Sequence, residues 1–241
     1  MLNRKTAGQF YLSRNGLAVI SFSGLFLMVT MYLWAPESEI FYDFQKPLVL
    51  SIFIAICLLG ILAAIYPKLC KGLLEFKKID KKSLDPDKMY IIQFEGHHPD
   101  CGKFESHTII IRGRKYCPGC SGLLIGAVMA VIGILFYYFY GLPLIHGEIS
   151  FWTGLVMVFL ALMLIIFLKL GKKLKIVSNL VLVTGSAMIL IGLDTVKENL
   201  LIEFYFLLLV LFFILARIVA SENNHEIICR NCEEKSFCIY E

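Results

Sequence analysis

Residues 47–66 read PLVLSIFIAICLLGILAAIY, a run of twenty residues without a charged side chain. A helix of about 20 mostly apolar residues is long enough to cross the hydrocarbon layer of a membrane. Five further segments share this character, and none has a charge near its middle. The six predicted spans lie at about 16–34, 47–66, 122–140, 150–168, 176–193 and 200–220. The sequence therefore predicts an all-α membrane protein, a six-transmembrane-helix bundle.

The composition also favours membrane spans over a large soluble core. Hydrophobic residues make up 58% of the chain and charged residues 17%, against about 45–50% and about 25% in an average soluble domain. The apolar blocks do not show the alternation that is typical of a transmembrane β-barrel. Three basic residues precede the first block, as in a signal peptide. Because the block is long and no small-x-small cleavage motif clearly follows it, we expect an uncleaved first helix.

The distribution of Lys and Arg predicts which side of the membrane each loop faces. Of the 23 such residues, 21 lie before the first span, in the second loop, in the fourth loop, at the end of the last span or in the tail, and only Lys46 and Lys197 lie in the other loops. Cytoplasmic loops retain Lys and Arg, so we expect a multi-pass protein of the cell membrane with both termini in the cytoplasm. The lipid bilayer is then the partner of this basic face, and nucleic-acid binding is not needed to explain the charge.

The spans divide the chain into four parts. Residues 1–66 hold the first two spans, 67–121 form a cytoplasmic loop, 122–220 hold the last four spans, and 221–241 form a cysteine-rich cytoplasmic tail. Within the long loop, the spacing of apolar residues among lysines predicts a basic helix over 67–82. Residues 89–94 are predicted to form a strand, and 107–111 and 114–117 a hairpin around Arg112 and Gly113. We expect these strands to form a small zinc-ribbon-like β module.

Six of the eight cysteines fall into two groups that also contain histidine. The first group comprises His97, His98, Cys101, Cys117 and Cys120, and the second comprises His225, Cys229, Cys232 and Cys238. A tight Cys-x-x-Cys turn brings two thiolates onto one ion, which suits tetrahedral zinc. In the reducing cytoplasm such thiols bind metal rather than forming disulfides. We therefore predict that these residues hold one or two zinc ions, within each group or across both.

Other readings of the same residues remain open. An iron–sulfur cluster needs mostly cysteine ligands, and the spacing matches no ferredoxin pattern. Cys117-Pro-Gly-Cys120 is similar to a thiol redox motif but lacks its thioredoxin-like setting. His225 is either a ligand or a solvated residue after the last span. Cys57, inside a span, is expected to be a small buried hydrophobe.

The membrane part has two acidic residues close to the predicted ends of its spans. Asp194 ends the fifth span, and Glu203 lies about one turn inside the sixth. Charge inside a membrane is costly and often functional, so this polar cluster is a candidate for holding a cation or a substrate group. Because both residues lie near the interface, we expect a solvated interhelical turn instead.

Two patterns within the spans point to helix packing rather than chemistry. Gly122, Gly126 and Ala130 recur every four residues in the third span, and small residues at this spacing let another helix approach closely. The fifth span is the most polar, and we expect its Asn179, Thr184 and Ser186 to form interhelical hydrogen bonds.

Residues 97–126, which read His-His-Pro-Asp-Cys…Tyr-Cys-Pro-Gly-Cys-Ser-Gly-Leu-Leu-Ile-Gly, resemble the signature of an uncharacterised family of prokaryotic polytopic membrane proteins. In that family a His/Cys segment is followed by a Cys-x-x-Cys or related pair, then Ser/Thr-Gly and a hydrophobic helix. The resemblance covers about an eighth of the chain and does not extend to the second cysteine group. It implies a membrane fold with a His/Cys module, and it implies no particular activity.

Taken together, these features favour a non-catalytic membrane protein whose zinc-stabilised inner module serves a structural role or docks a cytoplasmic protein. Four-ligand zinc sites are typically structural, because catalytic zinc keeps one position open. The alternative is a membrane-bound metal-dependent enzyme, or a redox enzyme that uses thiols or an iron–sulfur cluster. A transporter comes third, because no predicted span has the charged or broken-helix pattern of a substrate path. The oligomeric state is not specified by the sequence.

Overall fold

A computed structural model describes residues 14–34, 44–66, 90–92, 94–95, 98–99, 108–111, 114–168, 170–230 and 238–240. Within these ranges, six helices are long and apolar enough to cross a membrane. They are α1 (Arg14–Trp34), α2 (Gln45–Ile65), α3 (Pro118–Tyr140), α4 (Leu144–Phe167), α5 (Lys172–Val196) and α6 (Leu200–Arg230). The prediction of an integral membrane protein with six spanning helices is confirmed.

The bundle has two ends with different chemistry. At one end, Arg217 of α6 contacts Cys120 in the first turn of α3, and we call this the cysteine end. At the opposite end, Gln45 at the start of α2 contacts Glu203 at the start of α6. Asp194, near the end of α5, lies at that end too, and we call it the acidic end. Polar chemistry is thus concentrated at both ends of an otherwise apolar bundle.

Helix α5 is the most enclosed of the six. Of its most apolar stretch 61% is buried, against 22% in α2. This position suits its polar side chains, which lipid would not solvate. Thr184 and Ser186 donate to the carbonyl oxygens of their own helix at 3.0 and 2.8 Å, whereas Asn179 accepts a hydrogen bond from Arg217 of α6. The expected interhelical hydrogen bond is therefore present at Asn179, while Thr184 and Ser186 bond locally.

Glycines allow α3 and α4 to pack closely on opposite sides of α5. A Cβ atom at Gly122 would overlap the backbone of α5, and one at Gly126 would lie 3.0 Å from a carbonyl oxygen of α5. Gly154 of α4 faces Gly185 of α5 in the same way. The predicted close approach at Gly122 and Gly126 is confirmed, and α5 is the partner. At Gly133, by contrast, no described atom would lie within 4 Å of a Cβ.

Two helices extend furthest beyond their predicted bounds. Helix α4 begins at Leu144 rather than near residue 150, because Pro143 is its N-cap and the polar His146 and Glu148 stay exposed on its first turns. Helix α6 has 31 residues. At about 1.5 Å per residue it is roughly 46 Å long, which exceeds the roughly 30 Å hydrocarbon layer. Its last turns, beyond the predicted end at residue 220, therefore project from the bundle at the cysteine end.

Short strands occupy parts of the long loop and of the tail. They are β1 (Tyr90–Ile92), β2 (Phe94–Glu95), β3 (His98–Pro99), β4 (Ile109–Ile111), β5 (Arg114–Tyr116) and β6 (Cys238–Tyr240). The antiparallel pair β4–β5, with Ile111 opposite Arg114, confirms the predicted hairpin. The described strands form three separate two-stranded sheets, and these ranges show no zinc ribbon. The predicted basic helix at 67–82 lies outside the described residues.

The pairing of β1 with β6 links the long loop to the tail. The two strands run parallel, with Tyr90 opposite Cys238 and Ile92 opposite Tyr240. The predicted strand at 89–94 is thus observed over 90–92, but its partner comes from the far end of the chain. As a result, residues near the middle of the loop and the last strand of the tail lie side by side.

Candidate metal centre

The Cys-Pro-Gly-Cys sequence forms the start of α3. Cys117 is the N-cap, with extended backbone angles, and Pro118 follows at the first helical position. Proline is favoured there because it has no N–H group to satisfy and its φ is already helical. The Cys117 carbonyl accepts a hydrogen bond from the Ser121 N–H at 3.0 Å. The local sequence therefore places both cysteines within one turn, directly at the beginning of a membrane span.

The two thiols interact with each other. Cys117 and Cys120 are free cysteines, their side chains are hydrogen-bonded, and the Cys120 backbone N–H is bonded to the Cys117 sulfur. The hydrogen bond with the Cys120 thiol, and then burial, raise the pKa of Cys117, while the Cys120 N–H and the Arg217 charge act in the opposite direction. Two adjacent sulfurs with an amide donor aimed at one of them fit one edge of a tetrahedral zinc–thiolate site.

Arg217 connects this thiol pair to α5. One guanidinium nitrogen donates to the Cys120 sulfur at 3.5 Å, and Nε donates to the Asn179 Oδ1 at 2.8 Å. Asn179 is buried and donates in turn to the Lys175 carbonyl oxygen at 2.6 Å. A Cβ at Gly119 would lie 2.9 Å from the guanidinium, so glycine at this position leaves room for Arg217. Helices α3, α5 and α6 thus meet at the Arg217 guanidinium.

Sequence reasoning did not assign Arg217 and Asn179 to the site. The Lys and Arg bias accounts for Arg217 without a site, and helix packing accounts for Asn179. No sequence motif links these two residues with the cysteines, because each of them lies on a different helix. One signal was available, since Arg217 falls inside the predicted sixth span, where a charged residue needs a partner.

The structure places Cys117 and Cys120 together, and it leaves the other seven predicted ligands untested. Three of them lie outside the described residues: His97, Cys101 and Cys232. Four are described by their backbone position only: His98 in β3, His225 and Cys229 in α6, and Cys238 in β6. Among the side chains in the described ranges, no three from His, Cys, Asp and Glu converge on a common point.

The backbone positions nevertheless constrain the second group. Because α6 continues to Arg230, His225 and Cys229 stand four residues apart on one helix and therefore occupy the same face. Cys238 begins β6 and lies opposite Tyr90 of the long loop. The tail is thus partly helical, and its end returns to the loop that contains the first group.

At the acidic end, the expectation of a solvated turn is wrong. Asp194 is 3% exposed and Glu203 is fully buried. Their neighbours explain this, since the Tyr137 hydroxyl donates to Asp194 and the Gln45 amide donates to Glu203 at 3.2 Å. Both carboxyl groups are near the ends of their helices, but side chains from α2 and α3 cover them. Glu198, in the connection between α5 and α6, is exposed.

Comparison with known proteins adds no identity to this chain. No protein-family model, curated protein or solved structure matches it. The family resemblance of residues 97–126 therefore stays a prediction. The polar side chains at the two ends of the bundle are the features that bear on function.

Proposed function

We propose that this integral membrane protein binds one or two zinc ions through its Cys/His groups on the cytoplasmic side. The bound metal would tie the long loop to the tail and form a rigid surface on which a cytoplasmic protein docks. The observation that carries this proposal is the Cys117–Cys120 pair, with N–H donors from the Cys120 backbone and from Arg217 directed at its sulfurs. Donors of this kind stabilise and orient metal-bound thiolates.

The β1–β6 pairing supports a shared role for the two groups. It brings residues 90–92 and 238–240 together, and the projecting part of α6 carries His225 and Cys229 beyond the membrane span. The groups can then act as two separate sites, or Cys117 and Cys120 can join Cys229 and Cys232 in one site. A module as small as the loop and the tail has little apolar core of its own. Zinc binding would supply the missing folding free energy.

Metal analysis of matched variants tests the proposal. We expect purified wild-type protein to contain zinc and Cys117→Ser and Cys120→Ser each to lose at least one ion per chain, because a hydroxyl is a poor zinc ligand. Both variants should also unfold at a lower temperature and accumulate to lower levels. Cys57→Ala is the control, because Cys57 is buried in α2, as predicted, and far in sequence from both groups.

The stoichiometry distinguishes the two arrangements, and the variants test the structural role. Two zinc ions per wild-type chain indicate separate sites, and one indicates a shared site. Wild-type protein without zinc would contradict the proposal. So would variants that lose zinc but keep their stability and abundance, because the metal would then not be structural.

A thiol redox protein is the second candidate, and one observation favours it. The two free thiols are hydrogen-bonded to each other at the start of a helix, which is where redox-active Cys-x-x-Cys pairs occur. An enzyme of this kind, purified without metal, would form a reversible Cys117–Cys120 disulfide that is detectable by mass. An iron–sulfur protein would instead be coloured, whereas zinc protein is colourless.

A further inference from the structure

The acidic end contains a buried polar cluster that the metal centre does not explain. Its side chains come from four helices: Gln45 and Lys46 of α2, Tyr137 of α3, Asp194 and Thr195 of α5, and Glu203 of α6. Gln45, Asp194 and Glu203 are 6%, 3% and 0% exposed. Polar groups buried in a membrane bundle are costly and often mark functional sites.

One carboxyl group in this cluster, that of Asp194, is well supplied with partners. The Lys46 Nζ lies 3.6 Å from its Oδ2, and the Tyr137 hydroxyl donates to the same oxygen. The Lys46 Nζ also lies 4.0 Å from the centre of the Tyr137 ring, and the Thr195 hydroxyl lies 3.0 Å from the Tyr137 hydroxyl. Asp194 therefore has both a counter-ion and a hydrogen-bond donor.

The other carboxyl group, that of Glu203, is incompletely satisfied. Its Oε2 accepts a hydrogen bond from the Gln45 Nε2 at 3.2 Å. Its Oε1 is buried and has no hydrogen-bond partner within the described part of the chain. Buried carboxyl oxygens are almost always paired, so this oxygen marks the place where the cluster is incomplete.

The charged groups around Glu203 indicate that this carboxyl group needs a positively charged partner. Its electrostatic neighbours are Asp194, Glu198 and Lys46. Lys197, the other lysine at this end, lies 5.6 Å from the centre of the Tyr32 ring. Within the described part of the chain, the one lysine among the neighbours of Glu203 is already paired with Asp194, so Glu203 has no cation of its own. A buried charge without a compensating partner is strongly unfavourable.

We propose that the Glu203 carboxyl group binds one exchangeable small cation at its Oε1. Gln45 orients this carboxyl group, and the Lys46–Asp194 ion pair forms one side of the site. A proton and an alkali-metal ion share the required chemistry, because both neutralise a hard carboxylate oxygen. Either occupant gives the membrane part a binding function of its own, at the opposite end of the bundle from the metal centre.

Carbodiimide modification of the full-length protein tests this site. Dicyclohexylcarbodiimide is an apolar reagent that reacts with carboxyl groups carrying a proton in apolar surroundings. The purified protein would be treated in a choline buffer at several pH values from about 5 to about 9, a range that includes the ionisation of buried carboxyl groups. A second series at fixed pH would replace choline chloride with sodium or potassium chloride at constant ionic strength. Mass spectrometry would locate the modified residue.

We expect Glu203 to be modified and the exposed Glu148 and Glu198 to remain unmodified. If the occupant is a proton, modification falls as the pH rises and is the same in choline, sodium and potassium. If the occupant is an alkali ion, sodium or potassium suppresses modification at constant pH. Absence of modification at Glu203 under all conditions would overturn the proposal, and so would modification that neither pH nor salt changes.

An infrared measurement provides a second readout that does not depend on access of the reagent. Wild-type protein should show the stretching band of a protonated carboxyl group that disappears on raising the pH or on adding the alkali ion. Glu203→Gln should lack this band, and Glu148→Gln, at an exposed position of α4, should retain it. A spectrum of Glu203→Gln identical to that of the wild type would contradict a cation at this position.

Discussion

Arg217 shows how a single side chain connects the bundle to the candidate metal centre. Its Nε is bonded to Asn179 of α5, and its terminal nitrogen reaches the Cys120 sulfur. Arginine suits this position because its planar group directs several donors at fixed angles, which lysine does not. The same residue therefore stabilises the α5–α6 contact and orients a thiol.

Replacing Arg217 should weaken both contacts. We expect Arg217→Met to lower the free energy of unfolding by about 1.5–3 kcal/mol, the usual contribution of hydrogen bonds to a charged group. We also expect faster loss of zinc to a chelator, because the Cys120 sulfur loses a donor. Thermal unfolding and chelator kinetics measure the two effects.

The matched control for this variant is Lys173→Gln, which removes one positive charge from an exposed position at the same end. It should leave both quantities unchanged. If Lys173→Gln accelerated zinc loss as much as Arg217→Met, the general charge of this end would be responsible rather than the Arg217 contacts.

At the scale of elements, the close packing of α3 on α5 determines where the thiols lie. Cys117 and Cys120 are at the start of α3, and Gly122, only two residues beyond Cys120, is a point of close contact with α5. A shift of α3 away from α5 would therefore also move the cysteines away from Arg217 and Asn179. Packing in the membrane and the geometry of the Cys117–Cys120 pair are therefore mechanically coupled.

Substitution of these glycines should reveal the coupling. We expect Gly122→Ala to lower the free energy of unfolding by about 1–3 kcal/mol, because its Cβ overlaps the backbone of α5, and to reduce zinc retention. Gly133→Ala lies on the same helix in open space and should have little effect on either. Thermal unfolding and zinc content would be measured side by side. Equal behaviour of the two variants would show that α3 does not pack on α5 through Gly122.

At the scale of the whole molecule, the chain closes on itself through β1 and β6. The strands are far apart in sequence and pair in parallel over three residues each. So short a sheet is marginal by itself, and this is consistent with a metal ion that helps to hold the loop and the tail together. The bundle thus carries a thiol pair at the cysteine end, near this closure, and a cluster of carboxyl groups at the acidic end.

Removal of β6 tests this closure. A chain ending after residue 237 should exchange the backbone amide hydrogens of residues 90–92 faster than the full-length protein, because their strand partner is lost. Ile239→Val keeps the strand and serves as the control. Hydrogen–deuterium exchange with mass spectrometry measures the difference. Unchanged protection of residues 90–92 in the shortened chain would mean that β1 does not depend on β6.

The six spans and the hairpin at 109–116 could be predicted without a structure, because both depend on local properties. A membrane span requires only a long apolar run, and a hairpin requires only two short strands around a tight turn. The turn of Cys117 and Cys120 was equally local. The helical spacing of Gly122 and Gly126 also identified a close contact correctly, although it did not identify the partner helix.

Contacts between residues that are distant in the chain depend on the folded arrangement of the helices and could not be predicted. The partnership of Arg217 with Cys120, the burial of Glu203 and the pairing of β1 with β6 all join segments that have no periodic relation in the chain. Glu203 is the clearest case, because its position near a helix end suggests contact with solvent, whereas Gln45 from α2 covers it. Whether a polar residue near a span boundary is solvated depends on the neighbouring helices, and that arrangement is a property of the folded bundle.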